Sequence, residues 1–305
     1  MHSSHLQEKV VVVTGASSGL GRGVALRFAG AGARVILAAR RGNLLDQVAQ
    51  LCELDGGHGL AVPTDVSQED QVENLAQTAL DKFGQIDYWI NCAGAGAVGR
   101  FEEIPLALNS KVIEIDLLGS LYGSYYAMRQ FRKQGHGSLI NIASVLGKVS
   151  APYFAAYSAA KHGIVGLGAA LREEIRGSET PDIHVCTVLP AGMDTLFLEH
   201  MANYTGYKSE SALPVYHSED VVEAIYQLTH EPAAEITVGA SGKFASLAHS
   251  LAPGLTEAVM SKRLQTSQLG VANHKKDGPG SLQDPVTIGT TGGWGDEGVW
   301  GGQRA

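Results

Sequence analysis

Cysteine is scarce: the chain of 305 residues has 3, at Cys52, Cys92 and Cys186. Their odd number and wide scatter argue against a disulfide framework or cysteine-based metal site, so buried thiols in a reducing compartment are expected and no metal centre is. Charged residues are also few, 18% of the chain where about 25% is usual. The formal net charge is −8 and no dense Lys/Arg block occurs, which argues against a nucleic acid partner. No apolar run reaches the ~18 residues of a membrane span, and the opening MHSSHLQEK has no apolar leader core. A cytoplasmic protein with no membrane span is the expectation.

Glycine, by contrast, is abundant, with 38 residues. Several of these glycines stand where a chain must turn sharply. Lys9–Thr14 (KVVVVT) reads as a buried parallel strand and is followed by GASSGLGRGVALRFAGAGA, a glycine turn running into a helix. Gly15, Gly19 and Gly21, with Ser17, Ser18 and Leu20 between them, let the backbone approach a ligand, and the free N–H groups of the helix start suit a phosphate. The second strand, Arg34–Ala38, leads to Ala39, Arg40 and Arg41. An acidic residue near this strand end would hold the ribose hydroxyls of NAD. A guanidinium suits the 2'-phosphate of NADP, so NADP(H) is expected ahead of NAD(H).

The strand–helix alternation continues. Leu60–Pro63 is a third strand, after which either Asp65 and Val66 contact the adenine or Asp65 or Ser67 caps the helix from Gln68 to Phe83. Asp87–Asn91 is a fourth strand opening into Cys92, Ala93 and Gly94, with the Asn91 amide placed toward the ligand crevice. One long helix is expected from about Leu106 to Gln134, and within it Asp116 sits among apolar residues, where a carboxylate must be paired or neutralised. Strands at GSLINIAS, Ile183–Leu189 and Glu235–Val238 complete a doubly wound α/β, Rossmann-like parallel sheet of about seven strands. The irregular stretch from Phe197 to Tyr216 suggests a substrate lid, set at about 192–217. A helical extension over 241–269, interrupted at Pro253, fits a lid or subunit contact better than a membrane-surface anchor. From about Gly270 a mobile tail carrying Trp294 and Trp300 is expected.

The chemistry concentrates in SVLGKVSAPYFAAYSAAK. Tyr157 and Lys161 stand one helical turn apart on one face, and Ser144 ends a buried strand before them. Carbonyl reduction leaves an alkoxide, which needs a hydrogen-bond donor and a proton source. A tyrosine with a pKa of about 10 becomes a better acid/base beside a cation. Lys161 is expected to lower the Tyr157 pKa, and Ser144 to hold the carbonyl oxygen. Ser144 lacks the nucleophile elbow of a hydrolase.

In order and spacing these motifs resemble the short-chain dehydrogenase/reductase family, over roughly residues 8 to 240. The resemblance rests on Thr14-Gly15-x-x-x-Gly19-x-Gly21, Asn91-Cys92-Ala93-Gly94, Ser144, Tyr157 and Lys161. It implies a hydride-transferring enzyme acting on a carbonyl or secondary alcohol, mostly apolar to judge by Val145, Leu146, Pro152, Tyr153 and Phe154. It also implies that Lys161 bonds the nicotinamide ribose, that Pro190, Gly192 and Thr195 line the cofactor, and that the protein is a homodimer or homotetramer. The sequence departs from the family at Asp116, where Asn is usual and its main-chain carbonyl supports a water linked to the lysine, and at Pro190-Ala191-Gly192, where Pro-Gly is common. Asp116 is expected to keep that main-chain role, its added charge either tuning the proton relay or pairing locally. The other reading is an NADP(H)-binding sensor or scaffold on the same fold without efficient turnover.

Overall fold

The computed structural model describes residues 6–177, 180–193, 197–207, 216–269 and 276–284. The β-branched run Val10–Thr14 forms β1, with every residue buried, as a strand covered on both faces requires. The other strands are Arg34–Ala39 (β2), His58–Pro63 (β3), Tyr88–Asn91 (β4), Ala97–Gly99 (β5), His136–Ile142 (β6), Asp182–Pro190 (β7), Ala202–Tyr204 (β8) and Glu235–Val238 (β9). The helices are Gly19–Ala29 (α1), Gly42–Leu54 (α2), Glu69–Phe83 (α3), Leu106–Ile113 (α4), Gly119–Gln134 (α5), Ala155–Arg176 (α6), Phe197–His200 (α7), Ser218–Gln227 (α8), Ala240–Leu251 (α9) and Pro253–Leu269 (α10).

The main sheet is parallel and has 7 strands in the order β3-β2-β1-β4-β6-β7-β9. This is the expected Rossmann-like, doubly wound α/β fold. Its order reverses between β1 and β4, which opens a crevice at their carboxyl ends. One core, with Trp89, Leu75, Phe131 and Leu139, lies on one face of the sheet, and a second, with Phe28, Leu37, Ile140 and Val222, lies on the other. Phe131 is fully buried, so truncating it to Ala would cost ~3–5 kcal/mol. A small parallel pair, β5 with β8, ties the segment after β4 to the segment after α7. Sequence periodicity did not anticipate this pair, since each strand has only 3 residues.

Two further differences shape the site. The helix expected over 106–134 is interrupted: Glu114–Leu118 forms a π-type turn between α4 and α5, and Asp116 lies in it. Second, part of the expected mobile tail is packed. Gly278 pairs with Asn203 of β8, Gly280–Leu282 forms a short 3-10 turn, and Leu282 is buried in the first core. Trp294, Trp300 and residues 194–196 and 208–215 of the expected lid lie outside the described residues. No helix among the described residues is long and apolar enough to cross a membrane, and none of their His, Cys, Asp and Glu side chains cluster as a metal site would.

Candidate active site

Parallel strands bring their following loops to one edge, and the functional residues gather there. The turn after β1, Cys92–Gly94 after β4, Ser144 after β6, and Pro190 at the end of β7 with Ala191 and Gly192 beyond it all line one cavity of ≈ 350 Å³. Gly15 has φ +73°, and a Cβ there would stand 2.8 Å from the Ala93 Cα, so only glycine permits the close approach of the two loops. Gly21 is equally restricted, because a Cβ would lie 2.4 Å from the Gly15 carbonyl oxygen. Ser17, Ser18, Gly19 and Leu20 complete this wall, and Asp65 and Val66 line its outer side. Asp65 does not cap α3; its carboxylate accepts from the Ser67 N–H at 3.0 Å and the Ser67 hydroxyl at 2.7 Å.

Two cations stand at this end. Arg41 donates to Ser17 Oγ at 2.9 Å and Ser18 Oγ at 2.8 Å, and Arg40 donates to the Ser281 carbonyl at 2.7 Å. Burial, then the nearby Arg40 charge, pull the Arg41 guanidinium below its ordinary value. Two guanidiniums, one bonded to a main-chain carbonyl and one to two serine hydroxyls, beside a glycine turn and a helix N-terminus suit a phosphorylated ligand. The residues present therefore fit a dinucleotide.

The other end holds Ser144, Tyr157 and Lys161. Ser144 caps the 3-10 turn Val145–Gly147, its Oγ accepting from the Leu146 N–H at 3.1 Å. A hydroxyl that accepts from the backbone keeps its own proton to donate. Lys161 Nζ donates to the Ile142 carbonyl at 3.2 Å and lies 5.3 Å from the Tyr157 ring centroid. It also forms an ion pair with Asp116, at 3.1 Å from Oδ2. The other carboxylate oxygen, Oδ1, accepts from the Ala95 N–H at 2.7 Å.

The Asp116 pair alters the expected electrostatics. Burial lifts the Asp116 carboxyl above its ordinary range, with Lys161 opposing. Burial alone would lower Lys161, but Asp116, followed by Tyr157, carries it upward. The net shift of Tyr157 is also upward, from burial first; Lys161 pulls it down as expected, while Asp116 pushes it up. Lys161 thus acts on Tyr157 in the expected direction, but burial outweighs it, and Asp116 works against it as well. The Asp116 main-chain carbonyl, for its part, accepts from Ser120 Oγ at 2.6 Å, so the residue meets Lys161 through its side chain.

Asn91 is turned away from the crevice and does not line the cavity. Its Oδ1 accepts from Trp89 Nε1 at 2.8 Å, and its Nδ2 donates to Asn141 Oδ1 at 2.8 Å and to the Ser120 carbonyl at 3.1 Å. Residues two apart on a strand share a face, so Asn91 follows Trp89 into the first core. Thr195 lies outside the described residues. Met260 of α10 and Ser281 also line the cavity and were not foreseen. Neither has a motif; the lone apolar Leu282 in a polar stretch was the available signal for the second.

A doubly wound sheet whose switch-point cavity joins a phosphate-type turn to a Ser–Tyr–Lys cluster defines a nucleotide-binding oxidoreductase. Residues 9–204 match the short chain dehydrogenase family, and the chain belongs to that family, whose members transfer hydride to or from a nicotinamide nucleotide. The uncharacterized oxidoreductase YxnA of Bacillus subtilis is 29% identical over 265 residues, 86% of this chain and 74% of that protein. The 3-ketodihydrosphingosine reductase of Mus musculus is 34% identical over 190 residues, 61% of this chain and 56% of that protein. A short chain dehydrogenase/reductase from Burkholderia phymatum, solved in complex with NAD, has a TM-score of 0.74 at 24% identity, over 83% of this chain and 96% of that one.

Proposed function

We propose that the protein is an NADP(H)-dependent reductase of a bulky, apolar carbonyl compound, working reversibly on the corresponding secondary alcohol. The observation that carries this reading is the shared cavity, with Arg40 and Arg41 at one end and Ser144, Tyr157 and Lys161 at the other. The Gly15–Gly21 turn would take the pyrophosphate, and Arg40 and Arg41 the 2'-phosphate. Asp65 and Val66 would take the adenine, Lys161 and Tyr157 the nicotinamide ribose, and Ala93, Gly94, Pro190, Gly192 and Thr195 the rest of the dinucleotide. The bound nucleotide supplies the hydride in reduction and accepts it in oxidation.

The Ser144 hydroxyl donates to the substrate oxygen, and the Tyr157 phenol delivers the proton as that oxygen becomes an alkoxide. Because burial holds the Tyr157 pKa above its ordinary value, the phenol stays protonated at neutral pH, which favours reduction. Oxidation needs the phenolate and belongs to alkaline solution. Leu146, Phe154, Phe197, Leu198, Met201 and Met260 form an apolar wall around this end, and the mouse relative is named as a reductase of 3-ketodihydrosphingosine. A cytoplasmic location is part of the same reading. So is a homodimer or homotetramer, a subunit contact that the exposed Phe244, Leu247, Leu251 and Leu255 of α9 and α10 would serve.

The test is NADPH oxidation with a panel of ketones. Tyr157→Phe keeps the ring against Phe197, 5.4 Å away between centroids, and is expected to lose roughly 10²–10⁴ in kcat, the scale of general acid catalysis. Undiminished turnover would overturn the assignment. Arg40→Ala is expected to weaken NADPH binding far more than NADH binding.

A further inference from the structure

Arg40 is held by a part of the chain that the family's nucleotide turn does not supply. Its guanidinium donates at 2.7 Å to the main-chain carbonyl of Ser281, and both residues line the cavity. The segment 276–284 reaches that point from the opposite side of the crevice. Gly278 exchanges two backbone hydrogen bonds with Asn203 of β8, at 3.0 and 3.1 Å. Leu282, 1% exposed, anchors the far end in the first core beside Ile104, Leu108 and Ala202. Gly280 has φ +54° and lies so close to His200 and Met201 that a Cβ would meet the His200 carbonyl oxygen at 2.3 Å. The segment is thus a strap running from the substrate side of the cavity to its arginine end.

The chemistry of the latch decides what the strap does. A carboxylate on Arg40 would neutralise it; a main-chain carbonyl fixes one N–H and leaves the full charge and the remaining guanidinium donors to a ligand. Among the described residues no carboxylate forms an ion pair with Arg40. Immobilising a long side chain in advance removes the ordering cost that a ligand would otherwise meet. We infer that the strap 276–284 is a cofactor-selecting element, in which the Ser281 carbonyl positions Arg40 for the 2'-phosphate of an incoming nicotinamide nucleotide. Ser281 is a positioning residue that acts through Arg40, and the inference rests on the reading of Arg40 as the 2'-phosphate ligand.

Gly280→Ala in the full-length protein tests it, because the added Cβ undocks the strap without altering any group that touches the nucleotide. Undocking is read from faster amide hydrogen exchange at Gly278 and Leu282, and affinity from fluorescence titration with NADPH and NADH. The expected result is a loss of NADPH affinity of roughly tenfold, the scale of one charge-assisted hydrogen bond, with NADH unaffected. In an Arg40→Ala background the same substitution should add nothing, since the strap acts only through that side chain. Leu282→Ala, which withdraws the anchor and leaves the turn intact, should show the same cofactor-selective loss.

Equal losses for NADPH and NADH would make the strap a merely structural wall and overturn the inference, as would tighter NADPH binding or additive effects in the double variant. The two readings fail differently. If Arg40→Ala abolishes NADPH preference while undocking leaves it intact, the strap inference alone falls; if Arg40→Ala leaves the preference intact, both fall.

Discussion

The Asp116 carboxylate and the Lys161 ammonium face each other at 3.1 Å, with side chains 0% and 5% exposed. A neutral amide in that place would leave the lysine charge to act on Tyr157 alone. The carboxylate instead raises both Lys161 and Tyr157, and the Tyr157 shift is upward overall. Asp116→Asn removes that contribution, so the Tyr157 pKa should fall. In reduction the phenol must be protonated, and the falling limb of kcat/KM should move to lower pH. In oxidation the phenolate is needed, and the rising limb should move in the same direction. Profiles measured in both directions check this, and unmoved limbs would reduce Asp116 to a packing role.

The sheet was legible because its strands carry a simple signal. Runs such as VVVVT over Val10–Thr14 have no other comfortable conformation between two helical layers. Ser144, Tyr157 and Lys161 were legible through order and spacing. The π-type turn at Glu114–Leu118 was not, since one extra residue per turn leaves the apolar pattern of 106–134 looking helical. The strap was hidden for a related reason: it is fixed by Gly280, Leu282 and a main-chain carbonyl, which form no period.

Asn91 was misplaced although strand alternation assigns it to the Trp89 face, and its role there is testable. Its amide joins Trp89, Asn141 and Ser120 inside the core. Asn91→Ala leaves the buried Trp89 Nε1–H without its acceptor, which costs roughly 1–3 kcal/mol. A lower Tm with unchanged nucleotide affinity is the expected result. Weakened nucleotide binding at full stability would return Asn91 to the site.

Gly15→Ala should behave differently from Gly280→Ala. The first glycine has φ +73° and touches the Ala93 backbone, so the substitution strains the turn itself, at about 1–3 kcal/mol. The turn faces a pyrophosphate common to both nucleotides. NADPH and NADH affinities should therefore fall together, along with Tm. A selective loss of one nucleotide would mean that the turn also distinguishes the ribose substituents.

Substrate preference should rest on Phe197. Its ring packs 5.4 Å from that of Tyr157 and lines the cavity with Leu198 and Met201. Burying an apolar side chain against substrate is worth about 1.5–3 kcal/mol, which is tenfold or more in kcat/KM. Only a substrate large enough to touch that wall collects this energy. Phe197→Ala should consequently lower kcat/KM for a long-chain or polycyclic ketone by roughly tenfold or more, while a ketone of three or four carbons is reduced as before. The comparison is made at one pH on the same enzyme preparations, with NADPH saturating. An equal loss for small and large ketones would show that Phe197 serves Tyr157 alone, and the bulky apolar substrate would then have to be sought against another wall.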